Sequence, residues 1–568
     1  MYIVHVSCVD KMISLSFFKV MKWKLNYCLI LLFAFTWPSW GHWGNNPIVT
    51  TPLGIIRGSI MTSAQGRPIF SFRGIRYAKP PIGELRFKPP QPVEYWNFTY
   101  DATKDGFACP QPRSTPTSED CLFLNVYTTM LPDHKRNPKR PVLVYFHAGG
   151  FYSVDGTSKW AGPEYLLDQN IVLVTLNYRL ASLGFLSTGD SLAPGNNGLK
   201  DQVAALRWIN KNIACFGGDP NSVTITGYSA GGMSVTLHLI SPMSKGLFHR
   251  AIAMSGSALA QWEIPNHQFD LAQKQARLVG CPDDNSLNIV NCLKTKTAKE
   301  LGDSLSGFSE YRLDPIIKWK PVVERDFGQE RFLIENPITA VQNGRSARVP
   351  IMMSITREEF SYLAYAIVAN ETLLEEMDKE FERVAPIAFL YERDTEHSRH
   401  ISRKLREFYL GVGNFSKASR KGIGKLYADG VIGFGSHRGA QLFADNNNQS
   451  VYYYLFDYDG RYSHFYIPGS NVTIGPVHHD DLIYLFYVSP LFPKFNESYP
   501  EYQITKTLTK LFANFATEGK PTNEMDDVQW DPFTSMNKKY LRIGDTLEMR
   551  CNLYEERYKE WEFLFPLK

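Results

Sequence analysis

The sequence predicts one large α/β domain, a mostly parallel central sheet flanked by helices and carrying helical insertions. Three observations point there. Short apolar, β-branched runs alternate with longer stretches of helical periodicity. The runs are apolar throughout rather than at alternate positions, as in strands buried on both faces. From about residue 48 onward no internal repeat, charge block or Pro/Ser/Gly linker divides the chain. Its 568 residues would otherwise suggest about four domains at ~150 residues each.

The candidate strands, in order, are PVLVYF (141–146), IVLVTLN (171–177), VTIT (223–226), RAIAM (250–254), VPIMMS (349–354) and VYYYLF (451–456). Between them GLKDQVAALRWINKNI (198–213) has helical periodicity, and residues 371–412 form the helical insertions. At 44% hydrophobic, with Gly 41 and Pro 34, the chain is neither disordered nor collagen-like.

Ahead of this domain, residues 1–41 read as a secretory leader. Lys22 and Lys24 precede an apolar run from Tyr27 to Phe35, and Pro38, Ser39 and Gly41 supply a small-residue cleavage region. Translation from Met21 would give the same leader. The run is too short for the ~20 residues that cross a bilayer, and the C-terminal tail resembles neither an anchor nor a retrieval signal. An exported chain (42–568) without a stable membrane anchor is expected. The formal charge of +4 falls to +1 without the leader, 57 basic residues against 56 acidic, so no field draws in nucleic acid. Six N-x-S/T sequons, at Asn97, Asn370, Asn414, Asn448, Asn471 and Asn496, fit a glycosylated surface. Of the cysteines outside the leader, Cys109 and Cys121 bracket one polar stretch and Cys281 and Cys292 another. Neither spacing is CxxC and no histidine cluster lies beside them, which argues against zinc. Cys215 and Cys551 are left without an assigned role.

The chemistry starts at Gly227-Tyr228-Ser229-Ala230-Gly231-Gly232. G-x-S-x-G alone arises by chance in a chain of this length with probability on the order of 0.2. Here it stands between the strand VTIT and the helical stretch MSVTLHLI, and strand, sharp turn and helix are what a nucleophile elbow requires. The helix N-terminus adds unpaired N–H groups facing a developing oxyanion. A serine nucleophile needs a base, and the base an orienting acid, following in the order Ser, acid, His. GPVHHDD (475–481) offers His478 or His479; Glu358 or Glu359 follows the strand VPIMMS. The residues themselves leave both choices open.

Many further strings, in order, resemble the type-B carboxylesterase family, which includes the cholinesterases, within the α/β-hydrolase fold. They include FRGIRYAKPPIGELRFKPPQP (72–92), SEDCLFLNVY (118–127), VYFHAGGF (144–151), the run through TGYSAGG, SGSALAQW (255–262) and GPVHHDDLIYLF (475–486). The resemblance implies the acid at Glu359, with Ser354 in place of the strand-end glycine, and the base at His478, fourth in GxxH. It implies an oxyanion hole of Gly149, Gly150 and Ala230 N–H groups, and substrate-binding positions at Trp262 and Tyr228. It also implies disulfides Cys109–Cys121 and Cys281–Cys292, and no metal or organic cofactor. The partner implied is a small-molecule ester; oligomeric state is left open.

Three departures from the family pattern stand out: Ala148 for the first Gly of HGGG, Phe360 for the Gly after the acid, and Tyr228 for the Glu of the cholinesterase G-E-S-A-G. The loop 110–120 also lacks the tryptophan with which cholinesterases hold quaternary ammonium. Both absences argue against a cationic substrate. The expected activity is hydrolysis of uncharged carboxylic esters. The alternative is a catalytically silent adhesion or scaffold relative, disfavoured because the candidate nucleophile, acid and base are all present. GDSL at 189–192 and 302–305, the EHSRH pair His397 and His400, and the run His478-His479-Asp480-Asp481 are set aside as chance, a solvated helix face and a turn.

Overall fold

The structure, a computed structural model, describes residues 46–112 and 116–567, so the leader assigned to residues 1–41 lies outside the described residues. Before the predicted parallel core come β1 (Ile48–Thr51), β2 (Gly54–Arg57), β3 (Ser59–Thr62), β4 (Pro68–Arg76), β5 (Thr99–Asp101) and β6 (Phe123–Thr128). The core itself holds β7 (Arg140–Phe146), β8 (Val172–Leu176), β9 (Gly218–Tyr228), β10 (Arg250–Met254), β11 (Ile351–Thr356) and β12 (Val451–Phe456). After it follow β13 (Lys539–Ile543) and β14 (Leu547–Cys551). Strands β1, β2 and β5 form a small separate sheet. The others make one sheet of eleven strands, ordered β14-β13-β12-β11-β10-β9-β7-β8-β6-β4-β3.

From β8 to β13 neighbouring strands run parallel; the β3-β4-β6-β8 end and the β13–β14 pair are antiparallel. The six central strands occupy the predicted runs. The predicted strand at 349–354 is displaced to Ile351–Thr356, because Pro350 brings no N–H to a ladder. The antiparallel ends went unpredicted.

Alternating side chains feed two cores. Val142, Val144 and Phe146 point to one face and Leu143 and Tyr145 to the other; in β12, Tyr453 and Leu455 oppose Tyr452, Tyr454 and Phe456. The first face is covered by α1 (Asn197–Asn212), through Val203, Leu206 and Ile209, and by α2 (Ala230–His238), through Val235 and Leu237. The predicted insertion resolves into α3 (Glu371–Lys379), α4 (Phe381–Phe389) and α5 (Glu396–Leu410), part of that same layer. The second face is covered by α6 (Glu501–Glu518), through Leu508, Leu511 and Phe515. Apolar cover on both sides is why the central strands read as unbroken apolar runs.

The disulfides Cys109–Cys121 and Cys281–Cys292 are both formed; Cys215, half-buried, and Cys551, exposed, are unpaired thiols. All six sequon asparagines are exposed. No helix among the described residues is long and apolar enough to cross a membrane.

Candidate active site

The elbow sits where β9 ends. Ser229, the residue between β9 and α2, has φ 57° and ψ −118°, a left-handed conformation that a side-chain-bearing residue holds only when its surroundings impose it. Two constraints impose it here: the Ser229 N–H donates to Met254 O on β10 at 2.9 Å, and α2 starts immediately beside β7. A Cβ on Gly231 would lie 2.0 Å from Phe146 O, so only glycine lets the helix approach that closely. Ala230 is the first residue of α2, and its N–H therefore has no intrahelical partner.

The segment after β7, His147-Ala148-Gly149-Gly150, passes the same spot. Gly149 has φ 108°, and a Cβ there would come within 1.9 Å of Ser153 O. Its carbonyl accepts from the N–H groups of Tyr152 and Ser153, both at 2.9 Å. Tyr178 stacks on the His147 ring at 4.3 Å and donates its hydroxyl to His147 O at 2.9 Å. His147 is itself buried, which lowers its pKa to about 4 and leaves the ring neutral. Ala148 is buried in the second core, where its methyl group is accommodated. Sequence reasoning missed His147 and Tyr178 as supports; the only cue is their place beside strings already singled out.

Glu359 lies three residues beyond β11 and His478 in the turn following Gly475. The two segments run side by side: the Glu358 N–H donates to Pro476 O at 3.0 Å and the His478 N–H to Glu359 O at 3.2 Å. This places Glu359 Oε2 2.5 Å from His478 Nδ1, while Glu359 Oε1 accepts from the Thr356 N–H at 2.8 Å. The two side chains are 1% and 2% exposed. His478 Nε2, the other ring nitrogen, is buried without a hydrogen-bond partner. Glu358 instead turns outward to Arg357, 3.8 Å away and partly exposed.

Burial dominates the electrostatics. It pushes Glu359 up to about 7, opposed by the Thr356 amide. It also lowers His478 well below the ordinary imidazole value, helped by His464. The neutral imidazole, the form able to accept a proton, is thus favoured. The Phe360 ring packs on His478 at 4.3 Å; with φ −75° this position makes no demand for glycine. Asp480, noted in the sequence only as part of a decoy cluster, holds the histidine turn by accepting from Ser463 Oγ at 2.6 Å and Val477 N–H at 3.0 Å.

Trp262 is buried in the first core with its indole N–H unpaired. Tyr228, expected at the substrate, lies in the second core with no exposure, and its hydroxyl accepts from the His479 N–H at 2.8 Å. Strand alternation sends its side chain under the histidine turn. His397 on α5 pairs with Glu392, and among the described residues no group of three or more ligating side chains is placed to hold a metal.

Elbow, glycine turn and a buried Glu–His pair at the C-terminal ends of a largely parallel sheet are the arrangement of an α/β-hydrolase. Residues 45–561 match the carboxylesterase family, and the chain belongs to that family and is a carboxylic ester hydrolase. It is 40% identical over 501 residues to Esterase FE4 of Myzus persicae, covering 86% of this chain and 87% of that protein. It is 35% identical over 553 residues to Juvenile hormone esterase of Tribolium castaneum, covering 92% of each. Among solved structures, juvenile hormone esterase from Manduca sexta, with OTFP covalently attached, superposes with TM-score 0.82 at 27% identity. That match covers 92% of this chain and 100% of that one.

Proposed function

We propose that this protein is a secreted serine carboxylesterase that hydrolyses uncharged esters through Ser229, His478 and Glu359. The observation that carries the reading is the buried His478–Glu359 hydrogen bond at 2.5 Å, with Nε2 of the same ring left without a partner. Glu359 holds the proton on Nδ1, so Nε2 is the basic nitrogen. Ser229 Oγ attacks the ester carbonyl carbon as its proton passes to Nε2, and the imidazolium formed is stabilised by the Glu359 carboxylate. The oxyanion is received by the N–H groups of Gly149, Gly150 and Ala230. Collapse breaks the bond to the alcohol oxygen, which takes the proton from His478. Water then attacks the acyl-serine, giving its proton to the same nitrogen, and the acid leaves as Ser229 recovers its hydrogen. The covalently attached OTFP of the Manduca sexta relative supports covalent chemistry of this kind.

Uncharged substrates are favoured because the residue before the nucleophile is a tyrosine and the 110–120 loop has no aromatic side chain to hold a cation. Export is supported by the leader sequence, the two disulfides and the exposed sequons.

The test is titration with a fluorophosphonate followed by peptide mass spectrometry. One adduct per chain on Ser229, lost with ester hydrolysis in Ser229→Ala, is the expected result; hydrolysis that survives Ser229→Ala sinks the assignment. A panel of p-nitrophenyl esters run beside acetylthiocholine checks the substrate class. Saturation by acetylthiocholine at low concentration would overturn the exclusion of cations.

A further inference from the structure

A hydrogen bond across the site ties its two halves together. Tyr228 immediately precedes Ser229 and His479 immediately follows His478, and the His479 N–H donates to the Tyr228 hydroxyl at 2.8 Å across 251 residues of sequence. The backbone at His479 is in the left-handed region, φ 84°, a conformation that a bulky side chain adopts only under external constraint. From one side the turn is held by Asp480, which accepts from Ser463 Oγ and the Val477 N–H. On the other side Tyr228 supplies the hold. Its ring centroid lies 5.0 Å from those of both His478 and His479, so the same side chain packs against the imidazole and fixes the amide that follows it.

We propose that Tyr228 is a positioning residue that aims His478 at Ser229 by anchoring the strained His479 turn. The inference rests on the Ser229–His478–Glu359 reading and adds to it a reason for tyrosine at this position. Burial raises the phenol well above its ordinary pKa, so the hydroxyl stays neutral and keeps its oxygen as an acceptor. Tyr228 acts through the histidine and not on the substrate. Its removal should therefore slow the chemical step without weakening substrate binding.

The test compares Tyr228→Phe with a matched control, Tyr165→Phe. Tyr165 lies in the same core, is 1% exposed, and its hydroxyl accepts the Phe495 N–H at 2.8 Å. Each substitution removes one buried acceptor from one loop amide, and Tyr228→Phe also takes a hydroxyl from Asp481 and Ser255, so its thermal midpoint should fall at least as far as the control's. With rates expressed per titrated serine, Tyr228→Phe should reduce kcat about tenfold or more with KM within about twofold, and slow phosphonylation in step. Tyr165→Phe should leave kcat and phosphonylation at the wild-type rate. Undiminished kcat in Tyr228→Phe, or equal losses in the two variants, overturns the proposal. If Tyr228→Phe does not accumulate as folded protein, 3,5-difluorotyrosine at 228 keeps the shape and weakens the acceptor. A graded fall in kcat supports the inference, and an unchanged kcat refutes it. Failure of the wild-type enzyme to titrate would instead remove the serine reading on which the inference rests.

Discussion

Glu359→Gln is the sharpest probe of the acid–base pair. Both carboxylate oxygens now accept hydrogen bonds, from His478 Nδ1 at 2.5 Å and from the Thr356 N–H at 2.8 Å. An amide has one carbonyl oxygen. Turned toward Thr356, it presents NH2 to Nδ1 and selects the tautomer with the proton on Nε2, which cannot accept from serine. Turned toward His478, it sets NH2 against the Thr356 N–H, leaving two donors facing each other in a buried site. The first arrangement avoids that clash and should prevail. Losing the orienting carboxylate in a Ser-His-acid site lowers kcat by about 10⁴-fold, or ~5 kcal/mol of transition-state stabilisation. The assay is kcat for p-nitrophenyl acetate at pH 7–8, with KM expected to change little. Removing a buried charge should leave the thermal midpoint unchanged or higher, which separates lost chemistry from lost folding. Glu358→Gln, at the partly exposed neighbour, should retain most activity. A loss below tenfold in Glu359→Gln, or a larger loss in Glu358→Gln, would refute the reasoning.

Three further outcomes concern stability. Asp481 is fully buried, accepts from the Tyr454 hydroxyl at 3.4 Å and from the Tyr228 hydroxyl, and is pushed up to about 8 from its ordinary 3.8 by burial and by the charge of Glu359. A raised carboxylate pKa means that the folding penalty is absent below the unfolded value, grows through the window and is complete above about 8. Asp481→Asn should therefore stabilise the protein by up to a few kcal/mol at pH 8 and by only about 1 kcal/mol near pH 4.5, read from denaturation midpoints; equal shifts at both pH values would contradict this. Lys200 and Glu324 form a buried ion pair at 2.5 Å, both at most 1% exposed. Lys200→Met should cost about 3–5 kcal/mol by leaving Glu324 uncompensated, whereas Lys79→Ala, at an exposed pair, should have a negligible effect. Replacing Cys281 and Cys292 together by serine opens a loop with sequence separation 11 and should lower stability by about 3 kcal/mol in denaturant titration under oxidising conditions.

The six central strands were legible because burial on both faces leaves an unbroken apolar signature in each run. The antiparallel ends were not. Ser59–Thr62 is half-exposed along its length, and Leu547–Cys551 is mostly solvent-facing, so neither carries the apolar signal that marks a buried strand. The candidate nucleophile was legible for a local reason: elbow, flanking strand and following helix occupy one continuous stretch. His147 and Tyr178 escaped notice because their work is to hold a backbone turn, and no residue type announces that.

What the sequence by itself determined is therefore what depends on neighbours in the chain. The apolar runs specify the sheet, the glycines around Ser229 permit the sharp turn, and the cysteine pairs lie close enough to close small loops. What only the tertiary structure decided is which neighbours meet: Glu359 and not Glu358 shares a buried hydrogen bond with His478 and not with His479. Those choices turn on the direction of side chains from two loops 119 residues apart, brought together by β11 and β12 lying side by side in the sheet. It also moved Tyr228 from the substrate to the underside of the histidine turn. A residue's place next to a nucleophile is a matter of sequence; the face of the sheet it points to is set by strand register, and register exists only once the sheet has formed.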